Sequence, residues 1–368
     1  MERKATAMNL LYTVFLFMGG FTLFGGLSPY AGSYNWLAAV VAGIIGLALV
    51  FCCMRLLSIY KDKNLFEIFS ATLGAKLGTA VNLLYILSSI IVGTLVARLL
   101  IEFTSLTNLS QTPKSVVAGI LVFTCIAIAF CGIENLSRIA YFIFPIMLVS
   151  VLFMIIVSIK NFDWTIVTIE KTPGAENIIK ASINYLNKIF CQIVFFTAAI
   201  SGIQRPKNFG KAVAAGYISI GIIIACTIFR NISILGYKLA TQYCFPSYSA
   251  SSVLSLGQIF ERIEVVVSAM LFTSAIFEVT IYIISAASSI RTVFKVNYNK
   301  TAVIVGLLIY ILSLYMFDST LHLFKCIEVA APYMFVTIGL PPLIVWPLAE
   351  FHNYKKILKQ ANGQLTLE

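Results

Sequence analysis

An all-α integral membrane protein of about ten transmembrane helices is the fold class this sequence predicts, and three observations carry that reading. The 368 residues are 60% hydrophobic and 11% charged, with a mean hydropathy of +0.94, whereas soluble domains carry roughly 25% charged residues. Apolar stretches of about 20 residues, enough to cross some 30 Å of hydrocarbon, recur along the whole length. The basic residues gather between those stretches, mostly on one side.

Spans are predicted at 9–30, 35–57, 77–101, 115–132, 138–158, 182–204, 213–237, 263–290, 301–317 and 326–348. They leave no room for a separate soluble domain, so 1–368 reads as one permease-like membrane domain. The first stretch is too long and too polar at its end for a cleaved signal peptide, and it is expected to remain as the first span.

With the N-terminus inside, cytoplasmic ends and loops collect Arg3, Lys4, Arg55, Lys61, Lys63, Lys76, Arg138, Arg205, Lys207, Lys211, Arg291, Lys295, Lys300, Lys355, Lys356 and Lys359, or 16 of the 26 basic residues. That asymmetry predicts both termini inside. It also explains the +11 net charge without nucleic acid, which is not expected as a partner; the bilayer is. Two external connections are long, 159–181 and 238–262, and the second, with Pro246 and several serines, is expected to hold a short helix over the outer mouth.

The eight cysteines have no metal-ligand spacing, and most fall inside apolar spans as small hydrophobes. No metal site or cofactor is expected. The two histidines, His322 and His352, sit in a loop and the tail, and no phosphate-cradling glycine loop is present, so the chain reads as no enzyme.

Spans 1–5 (residues 9–158) and 6–10 (182–348) are each five helices, and an odd number forces the halves into opposite orientations. Interrupted helices at matching positions of inverted halves point to a transporter's central site. In span 1, Gly19, Gly20, Gly25 and Gly26 surround Thr22; in span 6, Thr197, Ala198, Ala199, Ser201 and Gly202 follow Phe195 and Phe196. Unwinding there would expose backbone to a cavity, although small residues also mark close helix packing. The expected ligand-binding set is therefore Gly19, Gly20, Thr22, Gly25, Phe195, Phe196, Thr197 and Ser201, with Ser274 and Glu278 from the middle of span 8. Free amides suit a carboxylate and free carbonyls an ammonium, so an amino acid is the leading ligand class.

Arg98, Lys188, Arg230 and Glu278 are ionisable groups within spans, where each requires a partner or water. Arg98 lies one turn before Glu102, predicting an i,i+4 pair. Arg230 and Lys188 lie about 10 Å from the outer ends of their spans, within reach of snorkelling to the interface. Glu278 sits near mid-membrane, with a ligand or proton-coupling role and a hydrogen bond to a neighbouring helix as its two readings.

Pro246, Ser247 and Tyr248, then Ser252, then the run Leu256, Gly257, Gln258, Ile259, Phe260, Glu261, Arg262, Ile263 and Glu264 resemble the outer loop and eighth-helix start of endospore germination permeases. These are the B subunits of spore germinant receptors, related to the amino acid, polyamine and organocation transporters. The resemblance implies a LeuT-like fold of two inverted five-helix repeats with helices 1 and 6 broken. It also implies A and C partner subunits, residence in the spore inner membrane, and a small nutrient germinant as ligand. Departures fall at Leu271, Glu278 and the Phe190, Cys191, Gln192 segment, on helices that would line the pocket. A secondary amino acid transporter, coupled to an ion or to protons, is the alternative, and a structural scaffold with no saturable ligand is a third class.

Overall fold

The structure, a computed structural model, describes residues 6–24, 26–61, 63–107, 111–165, 173–201, 206–254 and 264–365; for 21–24 and 355–365 it describes the backbone alone. In chain order the helices are α1 (Ala7–Phe24), α2 (Asn35–Ile59), α3 (Leu65–Leu73), α4 (Ala75–Thr107), α5 (Lys114–Ser158), α6 (Ala175–Lys188), α7 (Ile193–Ile200), α8 (Phe209–Gln242), α9 (Pro246–Ser252), α10 (Glu264–Phe294), α11 (Tyr298–Tyr315), α12 (Thr320–Met334) and α13 (Leu340–Leu365).

Among the described residues, eight helical runs are long and apolar enough to cross a membrane, and α1 adds a shorter apolar helix. The run 114–161 counts twice. Its 48 residues would extend about 72 Å as one helix, and Gly132 breaks it at φ 78°, ψ 170°, a conformation that costs a residue without Cβ little. Counted so, the described residues hold the expected ten crossings.

Burial separates an inner bundle from its periphery. Within the apolar windows, 89% of the α6–α7 run, 78% of α10 and 67% of α4 is buried, against 22% of α5, so α5 lies at the edge of the bundle. The hub is α10, which packs on α1, α4, α5, α7 and α11.

Between crossings 2 and 3, α3 begins with a capping box: Asn64 Oδ1 accepts from the Glu67 amide at 2.8 Å and Glu67 Oε2 accepts from the Asn64 amide at 2.9 Å. Its apolar face then lies on α4, where a Cβ at Gly78 would fall 2.3 Å from Ser70 Cα; only glycine permits that approach. In the second long outer connection a short helix does form, α9, started by Pro246 at its first turn. The rest of that connection, residues 255–263, lies outside the described residues.

Candidate ligand site

The first crossing stays helical through Gly19 and Gly20 to Phe24, so those two glycines do not unwind it. Their small size serves contact instead. A Cβ on Gly20 would lie 2.9 Å from Ser274 Cβ and 3.0 Å from Glu278 Cδ, and one on Gly19 would lie 3.6 Å from Ser274 Oγ. Four of the expected site residues, Gly19, Gly20, Ser274 and Glu278, therefore meet where α1 crosses α10, and both α10 side chains are fully buried.

Non-helical backbone follows at residues 26–31, before a 3-10 turn over Gly32–Tyr34. Asn35 satisfies its polar groups. Asn35 Oδ1 accepts from the Ser28 amide at 2.9 Å, while Nδ2 donates to the Ser28 carbonyl at 3.1 Å and the Gly32 carbonyl at 2.7 Å. Tyr185 of α6 donates to the same Oδ1 at 2.7 Å, tying the break in crossing 1 to crossing 6. Gly25 lies outside the described residues, as does the side chain of Thr22.

Crossing 6 breaks earlier than Thr197 to Gly202. Helix α6 ends at Lys188, a 3-10 turn occupies Phe190–Gln192, and α7 is regular from Ile193 to Ile200. Two side chains of the turn answer the freed carbonyls: Gln192 Nε2 donates to the Lys188 carbonyl at 2.6 Å and Cys191 Sγ to the Asn187 carbonyl at 2.8 Å. Gln192 Oε1 accepts from Tyr282 of α10 at 2.5 Å. Thr197 and Ser201 donate to carbonyls of α7, Ile193 at 2.9 Å and Ala198 at 2.6 Å, and α7 is regular up to Ile200; Gly202 lies outside the described residues. Phe195 and Phe196 enter an aromatic layer below the α1–α10 contact, with Phe195 5.2 Å from Tyr282 and Phe196 6.2 Å from Phe17, measured between ring centroids.

Beside Gly19 and Ser274 a narrow cavity opens between α1, α5, α8, α9 and α10, with an accessible volume of about 30 Å³. Its walls are mostly apolar, among them Phe15, Met154, Ile224 and Met270, and its polar lining consists of Thr227, Arg230, Ser247 and Ser274. Ser274 Oγ and Arg230 Nε are buried without a hydrogen-bond partner among the described residues. Gly20, Glu278, Phe195, Phe196, Thr197 and Ser201 do not line it.

Neither Arg230 nor Lys188 snorkels: they are 3% and 2% exposed. Groups of neighbouring elements hold both side chains. Lys188 pairs with Glu328 of α12, and Arg230 Nη2 donates to the Ser247 carbonyl at 2.8 Å and Ser251 Oγ at 3.2 Å. Arg98 makes the expected pair with Glu102 at 2.8 Å and also caps α11 through the carbonyls of Ser313, Leu314 and Phe317. Sequence reasoning missed Asn35 and Tyr185, and singled out Gln192 only as a departure from the family pattern. The available signal was a lone amide or hydroxyl in an apolar run, the kind of group that binds backbone at a helix break.

A family model described as spore germination protein matches residues 4–322. Spore germination protein KB of Bacillus subtilis (strain 168) is 25% identical over 363 residues, covering 95% of each chain. Spore germination protein B2 of the same strain is 24% identical over 270 residues, 72% of each. Among solved structures, MhsT in complex with L-phenylalanine matches with a TM-score of 0.68 at 14% identity, covering 93% of this chain and 89% of that one. Mhp1, a nucleobase-cation-symport-1 family transporter with bromovinylhydantoin bound, matches with a TM-score of 0.67 at 15% identity, covering 92% and 78%. The architecture is thus the LeuT-like one, two inverted five-helix repeats with helices 1 and 6 broken.

Proposed function

The chain belongs to the spore germination protein family, and from that premise we propose that it is the B-type membrane subunit of a spore germinant receptor, binding a small nutrient beside the α1–α10 contact. The observation that carries this reading is the meeting of Gly20, Ser274 and Glu278 near the middle of α10, next to a cavity that Gly19 and Ser274 line. An amino acid is the ligand class we favour. The repeats, 9–158 and 182–348, act as two bodies around that site.

In this reading the chain is a receptor and no enzyme, residing in the spore inner membrane with A and C subunits. The nutrient shifts a conformational equilibrium by binding one arrangement of the helices more tightly than the other, and the partners read the shift. Glu278 meets a ligand amine or exchanges a proton as the helices move, while the aromatic layer of Phe17, Phe196 and Tyr282 closes the inner side.

A secondary amino acid transporter is the second reading, favoured by the fold match to MhsT with its bound L-phenylalanine. Purified protein tested against amino acids, nucleosides and sugars should bind one class saturably, and Gly20→Trp should abolish that binding. Accumulation of the bound solute in liposomes would establish transport; binding without accumulation would favour the receptor. No saturable ligand at all would overturn both.

A further inference from the structure

We propose that Arg230 is the carboxylate anchor of the cavity between α1, α5, α8, α9 and α10, so that the site takes a small carboxylate with an apolar body. This assignment rests on the proposal that the chain binds a nutrient, and it names the chemistry of that nutrient.

Arg230 is 3% exposed and lines the cavity. A guanidinium buried among helices calls for an anion, because its desolvation is offset only by a counter-charge or a full set of acceptors. Here the acceptors are incomplete. Two are neutral oxygens of α9, the Ser247 carbonyl and Ser251 Oγ, and Nε has no partner among the described residues. None of the lining residues is acidic, and Arg230 forms no ion pair among the described residues.

A carboxylate entering the cavity would supply the missing acceptor, in the planar geometry that guanidinium groups bind most strongly. The remaining wall selects the rest of the molecule. Ile224, Met154 and Met270 offer contact surface and few hydrogen bonds, which suits an aliphatic or aromatic body over a sugar. The same arginine holds α9 through Ser247, and Asn231 Nδ2 donates to Ser247 Oγ at 2.9 Å. Occupancy at Arg230 is thereby coupled mechanically to the outer helix that covers the cavity.

The test uses the full chain in phosphatidylcholine nanodiscs, with the aliphatic and aromatic amino acids, their amides, monocarboxylates such as 4-methylpentanoate, nucleosides and sugars as probes of equilibrium binding. In the wild type, at least one amino acid should bind about ten- to a hundredfold more tightly than its own amide, the difference expected for hydrogen bonds to a charged group. Arg230→Gln should remove that preference, and Arg230→Lys should keep part of it. If Arg230→Gln does not fold, the wild-type comparison of acid with amide and the lysine variant still decide. Equal affinity for acid and amide overturns the assignment, as does an unchanged preference in Arg230→Gln. A nucleoside or sugar that binds where carboxylates do not overturns it while leaving the nutrient-binding reading intact. Stabilisation that requires phosphatidylglycerol and no free carboxylate also overturns it, and binding of no probe overturns both readings.

Discussion

Glu278 occupies the space that a side chain at position 20 would need. A Cβ built on Gly20 lies 3.0 Å from Glu278 Cδ, 3.1 Å from its Oε1 and 2.9 Å from Ser274 Cβ, distances at which α1 and α10 must move apart. Gly20→Ala should therefore lower thermal stability by about 1–3 kcal/mol, the usual cost of overpacking. Gly19→Ala is the contrast. Its Cβ would meet Ile220 and Ser274 at 3.6 Å, ordinary contact, and the gain in helix propensity should leave stability equal or higher. Thermal unfolding of the two purified variants checks this, and equal melting temperatures would show that the helices do not pack this closely.

That contrast also shows where the sequence was legible. Ten crossings could be read because hydrophobic length is a local property, and the Arg98–Glu102 pair because its partners lie one turn apart. The helix breaks were harder, since glycines mark both weak helix and close approach, and only the facing helix decides between them: Gly20 is packed against Ser274 and Glu278. In crossing 6 the break is stabilised by Gln192, whose partner Tyr282 is 90 residues away, so no local reading of Thr197 to Gly202 could locate it. Arg230 and Lys188 were misread for the same reason, because their partners come from α9 and α12.

The Tyr282–Gln192 bond should be measurable by itself. Tyr282→Phe preserves the aromatic contacts with Phe17 and Phe195 and removes the donor to Gln192 Oε1, leaving a buried acceptor unpaired at the break. The expected cost is about 1–3 kcal/mol. A variant as stable as the wild type in chemical unfolding would mean that the turn over Phe190–Gln192 is held by other contacts.

Glu102 is nearly fully buried between two cations of different kinds. Its side chain lies 2.8 Å from Arg98, itself buried, and 2.7 Å from Lys114, whose side chain is 43% exposed. Glu102→Gln strips a buried guanidinium of its counter-charge and should destabilise by about 3–5 kcal/mol, whereas Lys114→Ala removes a solvent-screened partner and should cost less than about 1 kcal/mol. Equal effects would contradict the difference in burial.

Two exposed cysteines report topology. Cys131 adjoins the Gly132 break in α5 and Cys244 follows the end of α8, and the basic asymmetry places the first inside and the second outside. In single-cysteine variants, a membrane-impermeant maleimide added to right-side-out vesicles should modify Cys244 and spare Cys131 until the membrane is opened. Labelling of both, or of Cys131 alone, would reverse or refute the orientation.

Glu278 lies 14 residues from the start of α10 and 16 from its end, about 21 Å and 24 Å along the axis, and it is fully buried. A carboxyl group at that depth requires a proton, a counter-charge or water. If it serves the ligand or a coupled proton, affinity for a bound amine should rise with pH as the carboxylate forms, because only the ionised group attracts the amine. Glu278→Gln keeps the size and hydrogen-bonding capacity of the side chain and removes that titration. In the variant, affinity should fall by about tenfold, the worth of one charge-assisted hydrogen bond, and become flat across the pH range where the wild type varies, with protein abundance unchanged. The measurement is equilibrium binding of the same ligand to both proteins from pH 5 to 8. Identical affinity and identical pH response would assign Glu278 to helix packing alone, as a neutral acid held against the backbone of α1 at Gly20.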